Sequence, residues 1–309
     1  MTSELNEVDV LVRAGFTVRA RSASELELTR GTDRVLATLV RQNAGVTRQQ
    51  IANAQQSAPG EVILFVTPRA TARVRELVTR EPHAWLLTHE GTAILGDRSA
   101  EARPRRRMVR GRIPWGRYAL MRVLARTPEP RTQRHIAEEV GLTQGAVSGA
   151  LAKLPVAVRS GAGWVVNDPG GLWDTFLAEY PGAGGVRTHW HSRQPFIRQC
   201  ELLRPHVLLS ADAGSDSIAP WRTPVRAVAY AGEPVDMEKL GFTPALADEA
   251  TVDLVTPADR TIFATAKAWG RPGIADPLLV AWDLRDVGGT DAEEAAAHLR
   301  SKTLTGISE

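Results

Sequence analysis

Cysteine is almost absent from this sequence. Cys200 is the only one in 309 residues, which excludes an intramolecular disulfide and any zinc site built from several cysteines. Such sparing use of cysteine fits a reducing cytosol. The sequence also has no run of about 18 apolar residues that could span a membrane. Its opening stretch, MTSELNEVDV, contains acidic residues and lacks the apolar core of a signal peptide. These absences predict a cytoplasmic protein with no membrane partner.

A strong excess of charge of one sign is missing as well. Lys and Arg number 38 against 35 Asp and Glu, and a net charge of +3 does not by itself indicate a nucleic-acid partner. With 43% hydrophobic and 24% charged residues, the composition is that of a soluble globular protein and not of a disordered chain. The length suits two or three domains. We place the domains at 1–98, 113–168 and 169–309, with a basic linker at 99–112.

The stretch from 131 to 166 has the pattern of a helix-turn-helix followed by a two-stranded wing. Thr132 and Thr143 are expected to cap two helices, because a hydroxyl at this position accepts an orphan backbone N–H. Gly141 lies where the turn between the helices needs a positive φ, and Leu142 is expected to fill the core from that turn. Pro155 should end the second helix. The predicted buried residues are Ile136, Ala137, Val140, Ala146, Val147, Ala150, Leu151 and Leu154.

A wing is expected directly after the second helix. Apolar residues alternate with small or polar ones around the glycine-containing tip at 160–163, which predicts a hairpin with a flexible tip. Arg159 lies beside this tip and could touch a backbone phosphate. The apolar residues of this alternation are Val156, Val158, Trp164 and Val166.

The second helix is predicted to be a recognition helix, whose N-terminal residues reach base edges in the major groove. Gln144 can bond bidentately to adenine, Ser148 can bond either base of a pair, and Lys153 suits phosphate or guanine. The phrase QRHIAEEVGLTQGAVSGALAKL resembles the winged helix-turn-helix of many bacterial transcription regulators. The alternative is an αα-hairpin used only for packing. The expected DNA-binding residues of this segment are Thr132, Gln133, Thr143, Gln144, Gly145, Ser148, Lys153 and Arg159.

Arginine is concentrated in the linker, within DRSAEARPRRRMVRGRIP. Basic arms beside helix-turn-helix domains can enter the minor groove, and phosphate contacts add affinity without sequence information. The alternative is a solvated connector. The linker residues expected at DNA are Arg105, Arg106, Arg107 and Arg110.

The first 98 residues have the predicted order α-β-β-α-β-α-β, which indicates an α/β sandwich on a small mixed sheet. This order resembles restriction-endonuclease-like domains found at the N-terminus of some actinobacterial regulators. Nucleases of this kind need carboxylates and a Lys on adjacent strands, to hold a metal ion and activate water. In such nucleases the second strand ends in an acidic residue, then any residue, then Lys.

The residues in those places are Leu39 and Arg41. Leu39 cannot ligate a metal, and Arg41 cannot lose its proton to act as a base. Glu25, Glu27 and Asp33 lie nearby and could ligate alone, although solvated strand carboxylates are the alternative. The resemblance therefore implies a non-catalytic relative that serves protein contacts, DNA backbone binding or dimerisation.

Residues 169–309 are expected to form an α+β domain with a mixed sheet. The predicted strands lie in GGVRTHWHS, HVLLS, PVRAVAYAG, ATVDLVTP and PLLVAWDL, and Asp291–Leu304 is the predicted closing helix. Three phrases, LAEYPGAGGVRTHWHS, LLSADAGSDSIAPWRTP and ADPLLVAWDL, are similar to the AbiEi family of type IV toxin–antitoxin antitoxins and related actinobacterial regulators. The resemblance implies an antitoxin-type transcriptional repressor with a nucleotidyltransferase-like C-terminal fold.

The C-terminal domain lacks the motif of an active nucleotidyltransferase. Such enzymes place a Gly-Ser turn before an Asp-x-Asp pair that binds metal, whereas Asp212 and Asp216 are not at that spacing. His189 and His191 would share one face of a strand, but no Cys or acid follows at ligand spacing. We expect a histidine pair at the rim of the domain; a metal site is the alternative.

Together these features predict an α+β multidomain protein: a restriction-endonuclease-like α/β sandwich, a central winged helix-turn-helix and a nucleotidyltransferase-like C-terminal domain. The expected function is that of a sequence-specific DNA-binding regulator, a nucleoid-associated homodimeric repressor of the antitoxin type, without enzymatic activity, cofactor or metal. One alternative is a metal-dependent nuclease or nucleotidyltransferase that the winged domain targets to DNA. Another is a toxin-neutralising antitoxin, or a module that binds a small-molecule effector, with a secondary role at DNA.

Overall fold

The computed structural model describes residues 7–42, 45–88, 92–96, 98–101, 113–127, 129–154 and 156–305. The chain has an α+β architecture with mixed sheets. Its first sheet has seven strands in sequential order, with β3, β4 and β5 parallel and the other neighbours antiparallel. The elements of this part are α1 (Glu7–Arg13), β1 (Thr17–Ala20), β2 (Glu25–Arg30), β3 (Asp33–Arg41), α2 (Arg48–Ser57), β4 (Val62–Thr67), α3 (Ala72–Thr79), β5 (Ala84–Thr88), β6 (Thr92–Leu95) and β7 (Arg98–Glu101).

The seven-stranded sheet has a hydrophobic core on each face. Leu11 of α1 packs with strand residues such as Leu28 on one face, whereas Ile51 of α2 and Val74 of α3 pack with Phe65 on the other. Because helices cover both faces, β4 is buried along its whole length, as its unbroken apolar run predicts. The predicted element order omitted β1, β6 and β7. Each has only four residues, too few for alternation to stand out, and each is held by pairing with its neighbours.

The central segment forms the predicted succession of helices followed by a hairpin. Its elements are α4 (Trp115–Leu124), α5 (Gln133–Val140), α6 (Gln144–Leu151), β8 (Ala157–Ser160) and β9 (Gly163–Val166). The two strands pair antiparallel. A backbone bridge from Arg131 to Trp164 attaches this hairpin to the residues that precede α5.

The C-terminal part contains a second mixed sheet, in the order β11-β12-β14-β10-β13. Strands β12 and β14 are parallel, and the other neighbours are antiparallel. The elements are α7 (Pro169–Glu179), β10 (Val186–His191), α8 (Phe196–Leu203), β11 (Val207–Ser210), α9 (Ala211–Ile218), β12 (Ala227–Ala231), β13 (Thr243–Pro244), β14 (Val252–Thr256), α10 (Thr261–Trp269), α11 (Pro277–Val287) and α12 (Ala292–Thr305).

The prediction of a strand in PLLVAWDL was wrong, because these residues belong to α11. The carboxylate of Asp276 accepts the backbone N–H of Leu279, and Pro277 occupies the first turn, where a missing N–H costs nothing. The following apolar run is buried on all sides, so it lacks the amphipathic pattern that marks a surface helix. Helix α10 was not predicted at all. Helix α9 begins at the residue directly after β11.

One hydrophobic core runs through the winged segment and the C-terminal part. It includes apolar side chains of α4 to α7 and of α9 to α12. Helix α10 packs against both α4 and α5. The two segments on either side of the domain boundary predicted at 168/169 therefore share one hydrophobic core.

Candidate nucleic-acid interface

The turn between α5 and α6 has the local geometry that the sequence predicts. The hydroxyl of Thr132 accepts the backbone N–H of His135, and that of Thr143 accepts the N–H of Ala146, each at 3.2 Å. Gly141 ends α5 with φ of +67°, in the left-handed region that glycine tolerates best. These contacts end α5 at Val140 and start α6 at Gln144, so only three residues connect the two short helices.

The predicted buried faces of the two helices are largely confirmed. Ile136, Val140, Val147, Leu151 and Leu154 are each at most 3% exposed. Ala146 was expected to be buried, but it is exposed, and Ala150 is half-buried. The reason is that α6 contacts α4 and α5 along a narrow seam, which leaves the first turn of α6 uncovered.

The outward face of α6 is open to solvent. Gln144, Gly145, Ser148 and Gly149 are all exposed, and so is Lys153 just beyond the helix. A Cβ atom added at either glycine would meet no described atom within 4 Å. No described part of the chain therefore covers the face that the recognition-helix prediction requires.

The wing is only partly buried. Val166 is buried and Trp164 half-buried, whereas Val156 and Val158 are 42% and 44% exposed. A two-stranded hairpin can pack only one of its faces against the rest of the protein. Strand β9 is the one attached to the core, through its bridge to Arg131. Gly163 lies at this bridge with φ of +145°, and a Cβ there would lie 2.5 Å from the carbonyl oxygen of Arg131. Only glycine allows the wing to approach so closely.

Few of the basic side chains near α6 are unpaired. Within 113–168 the sequence has seven Lys and Arg residues against four Asp and Glu. Two of the seven, Arg122 and Arg126, are buried, and three more form ion pairs: Arg117 with Glu179, Arg131 with Glu139 and Arg134 with Glu138. Lys153 and Arg159 remain exposed and have no ion-pair partner within the described ranges. They are the two cations most available to a phosphate.

The predicted DNA-binding residues differ in what the structure shows of them. Thr132 and Thr143 are exposed, but their hydroxyls are occupied as caps, and Gln133 is half-buried. Gln144, Gly145, Ser148, Lys153 and Arg159 are exposed and lie on α6 or after it. The remaining predicted positions, Arg105, Arg106, Arg107 and Arg110, lie outside the described residues, as does Pro155.

Arg134 was missing from the predicted set. It lies in the first turn of α5, and its side chain is 79% exposed despite the ion pair with Glu138. In helix-turn-helix domains the first helix crosses the nucleic-acid backbone. The sequence signal that could have identified Arg134 is its position two residues before buried Ile136, on the opposite face of the helix.

The nuclease-like positions of the first sheet do not form a metal centre. Leu39 is buried, and Arg41 forms an ion pair with Glu7 and donates to the carbonyl of Gly185. Burial alone would raise the pKa of Glu27, but hydrogen bonds from Arg21 and Arg34 lower it. Among the described residues, no group of three His, Cys, Asp or Glu side chains is placed to hold a metal ion.

The carboxylate of Asp212, at the position that the nucleotidyltransferase resemblance singles out, is fully used within the protein. It accepts from the Arg222 guanidinium and from the backbone N–H groups of Val225 and Arg226, all within 3.1 Å. Asp216 is exposed and lies one helical turn further along α9. The two carboxylates therefore do not form a metal-binding pair.

The expectation of a histidine pair at the rim was wrong for His189. This residue is 6% exposed, because α1 covers it. Its Nδ1 lies 2.8 Å from Asp253, and its Nε2 lies 3.5 Å from Asp9 of α1. His191 instead contacts the carbonyl of Glu249 at the surface. The sequence could not reveal the contact between His189 and Asp9, since these residues lie 180 positions apart in the chain.

Comparison with known proteins gave no match to a protein-family model, to a curated protein or to a solved structure. Among the helices that the structure describes, none has the length and apolar character needed to cross a bilayer. The resemblances to AbiEi antitoxins, to restriction-endonuclease-like domains and to winged regulators therefore remain predictions from the sequence.

Proposed function

We propose that this protein is a sequence-specific DNA-binding transcriptional regulator that inserts α6 into the major groove. The observation that carries the proposal is the open outward face of α6, which follows a capped helix and a glycine turn. The major groove of B-DNA, about 12 Å wide, admits an α-helix.

The proposed interface has two kinds of contact. Gln144 and Ser148 would bond to base edges, which gives specificity, while Lys153 and Arg159 would bind phosphates, which gives affinity and orientation. The linker arginines would add phosphate or minor-groove contacts. We further propose that the protein binds as a homodimeric repressor to two half-sites about 34 Å, or a multiple of that distance, apart.

The proposal is tested by mapping bound DNA across the genome and measuring affinity for the most enriched site. Gln144→Ala and Ser148→Ala should weaken binding to that site more than binding to random DNA. Lys153→Ala and Arg159→Ala should weaken both equally and reduce the salt dependence by about one counterion each. Gln194→Ala and Ser301→Ala are matched controls, because both side chains are exposed on the C-terminal part and should have no effect.

Two results would contradict the proposal. One is failure to enrich any DNA site. The other is turnover of DNA or nucleoside triphosphates with magnesium or manganese, which would favour the nuclease or nucleotidyltransferase alternative. A toxin or effector bound to the flanking domains would instead extend the proposal, since DNA binding by α6 would persist.

A further inference from the structure

The exposed surface of α6 lacks the side chains that most often recognise G·C pairs. Its uncovered residues are Gln144, Gly145, Ala146, Ser148 and Gly149, preceded by Thr143 and followed by Ala152. None of them is Arg, Lys, Asp or Glu, and Lys153 comes only after the helix has ended. Guanine is read chiefly by Arg or Lys on O6 and N7, and cytosine by an acidic acceptor on N4.

We infer that α6 selects A·T pairs in the major groove, an inference that rests on the proposed function. Gln144 supplies the amide that bonds bidentately to N6 and N7 of adenine. It lies in the first turn of α6, where base contacts are made, and its side chain has no hydrogen-bond partner among the described residues. Adenine is therefore the base best matched to the longest polar side chain of this face.

Two methyl groups beside Gln144 fit the partner base. Thr143 is exposed, and it carries a methyl group beside the hydroxyl that accepts the N–H of Ala146. Ala146 is exposed and presents a second methyl group. The C5-methyl of thymine is the apolar group in the major groove, and Ala and Thr methyl groups are its usual contacts.

The glycines of α6 would let the helix approach the base pairs closely enough for its short side chains to reach them. Ala146 and Ser148 reach only a short distance from the helix axis, so the helix must lie deep in the groove for them to touch a base. Gly145 and Gly149 place no side chain on this face, and the space around each is open among the described atoms. A bulky residue at 145 would hold the helix away from the base pairs.

The first test selects duplexes from a random-sequence library with the full-length protein. We expect half-sites in which adjacent A·T pairs dominate. Changing the adenine read by Gln144 to guanine should lower affinity about 5- to 150-fold, the range of one bidentate pair. Gln144→Arg should reverse this preference to guanine at that one position, whereas Gln194→Arg, which adds the same charge elsewhere, should not.

The second test removes single methyl groups. Replacing one thymidine of the selected half-site by deoxyuridine should lower affinity about 4-fold, the effect of one buried methylene-sized group. If the methyl group of Ala146 contacts this thymine, the Ala146→Gly variant should bind the thymidine and deoxyuridine duplexes with equal affinity. Circular dichroism of each variant checks that the protein remains folded.

The outcomes separate this inference from the proposed function. Selection of half-sites dominated by G·C pairs, or enrichment with no base preference, would overturn the inference and leave DNA binding intact. Absence of DNA binding would overturn both. The Gly145→Leu variant gives a further check. If it changes the oligomeric state of the protein in solution and leaves DNA affinity unchanged, both are overturned, since α6 would then contact a second copy of the chain and not DNA.

Discussion

The guanidinium of Arg122 in α4 lies 3.1 Å from a carboxylate oxygen of Asp259, and both side chains are fully buried. The same guanidinium lies 3.6 Å from Asp276 and donates to the hydroxyl of Thr261. Tyr180 donates to Asp259 from the other side. Burial alone would lower the pKa of Arg122, but the two carboxylates raise it, so Arg122 stays charged. This network joins the first helix of the winged segment to the C-terminal part.

Removal of Arg122 should be strongly destabilising. Arg122→Met leaves Asp259 and Asp276 buried without their cation, and we expect the free energy of unfolding to fall by about 3–5 kcal/mol. Arg117→Met is the control. Arg117 lies on the same helix but pairs with Glu179 at the surface, so its loss should cost about 0–1 kcal/mol. Chemical denaturation measures both, and equal losses would show that the buried network is not what stabilises the protein.

The winged segment should not fold alone. A fragment of residues 113–168 would expose the sides of α4 and α5 that pack against α10, and it would lack both carboxylates that pair with Arg122. We expect this fragment to be unfolded by circular dichroism and to be digested rapidly by protease. A fragment of residues 113–305 keeps the shared core and should fold cooperatively. A stable, helical short fragment would contradict the coupling.

Gly141 and Gly145 should respond in opposite directions to the same substitution. Gly141→Ala puts a residue with a Cβ into a left-handed backbone conformation, and that Cβ would lie 2.9 Å from the Cβ of Ala264 in α10. We therefore expect the free energy of unfolding to fall by about 2 kcal/mol. Gly145 lies inside α6 with open space around it, so Gly145→Ala should stabilise the helix by up to about 1 kcal/mol. Thermal unfolding of both variants tests the prediction, which fails if both changes have the same sign.

Asp283 should make the stability depend on pH. Burial raises its pKa to about 7, although hydrogen bonds from Ser210 and Tyr230 oppose the shift. The folded protein therefore holds a proton that the unfolded chain releases above its ordinary pKa near 4. The stabilisation from this proton is complete below pH 4 and is lost as the pH rises through 7.

Asp283→Asn mimics the protonated form and provides the measurement. The difference in unfolding free energy between the variant and the wild type should shift in favour of the variant between pH 5 and pH 8. Asp248→Asn is the control, since Asp248 is exposed and does not contact Asp283. A constant difference across this range would show that Asp283 does not titrate there.

Contacts between residues close in the chain were predictable. The caps at Thr132 and Thr143 and the turn at Gly141 depend on hydrogen bonds three or four residues long, so the residue type nearly determines the geometry. The exposure of Ala146 was not predictable, because it depends on where α4 ends its contact with α6. The helix at PLLVAWDL was mistaken for a strand, since a fully buried run carries no periodic signal.

By itself the sequence determined the local conformations of this protein: the capped helices, the glycine turn, the wing and the polar character of Gln144 and Ser148. Only the tertiary structure decided which of these groups face solvent and which are covered. It placed Arg122 against Asp259 and His189 against Asp9, pairs separated by more than a hundred residues. The physical reason is that burial and ion pairing depend on the packing of distant elements, which no short-range pattern encodes.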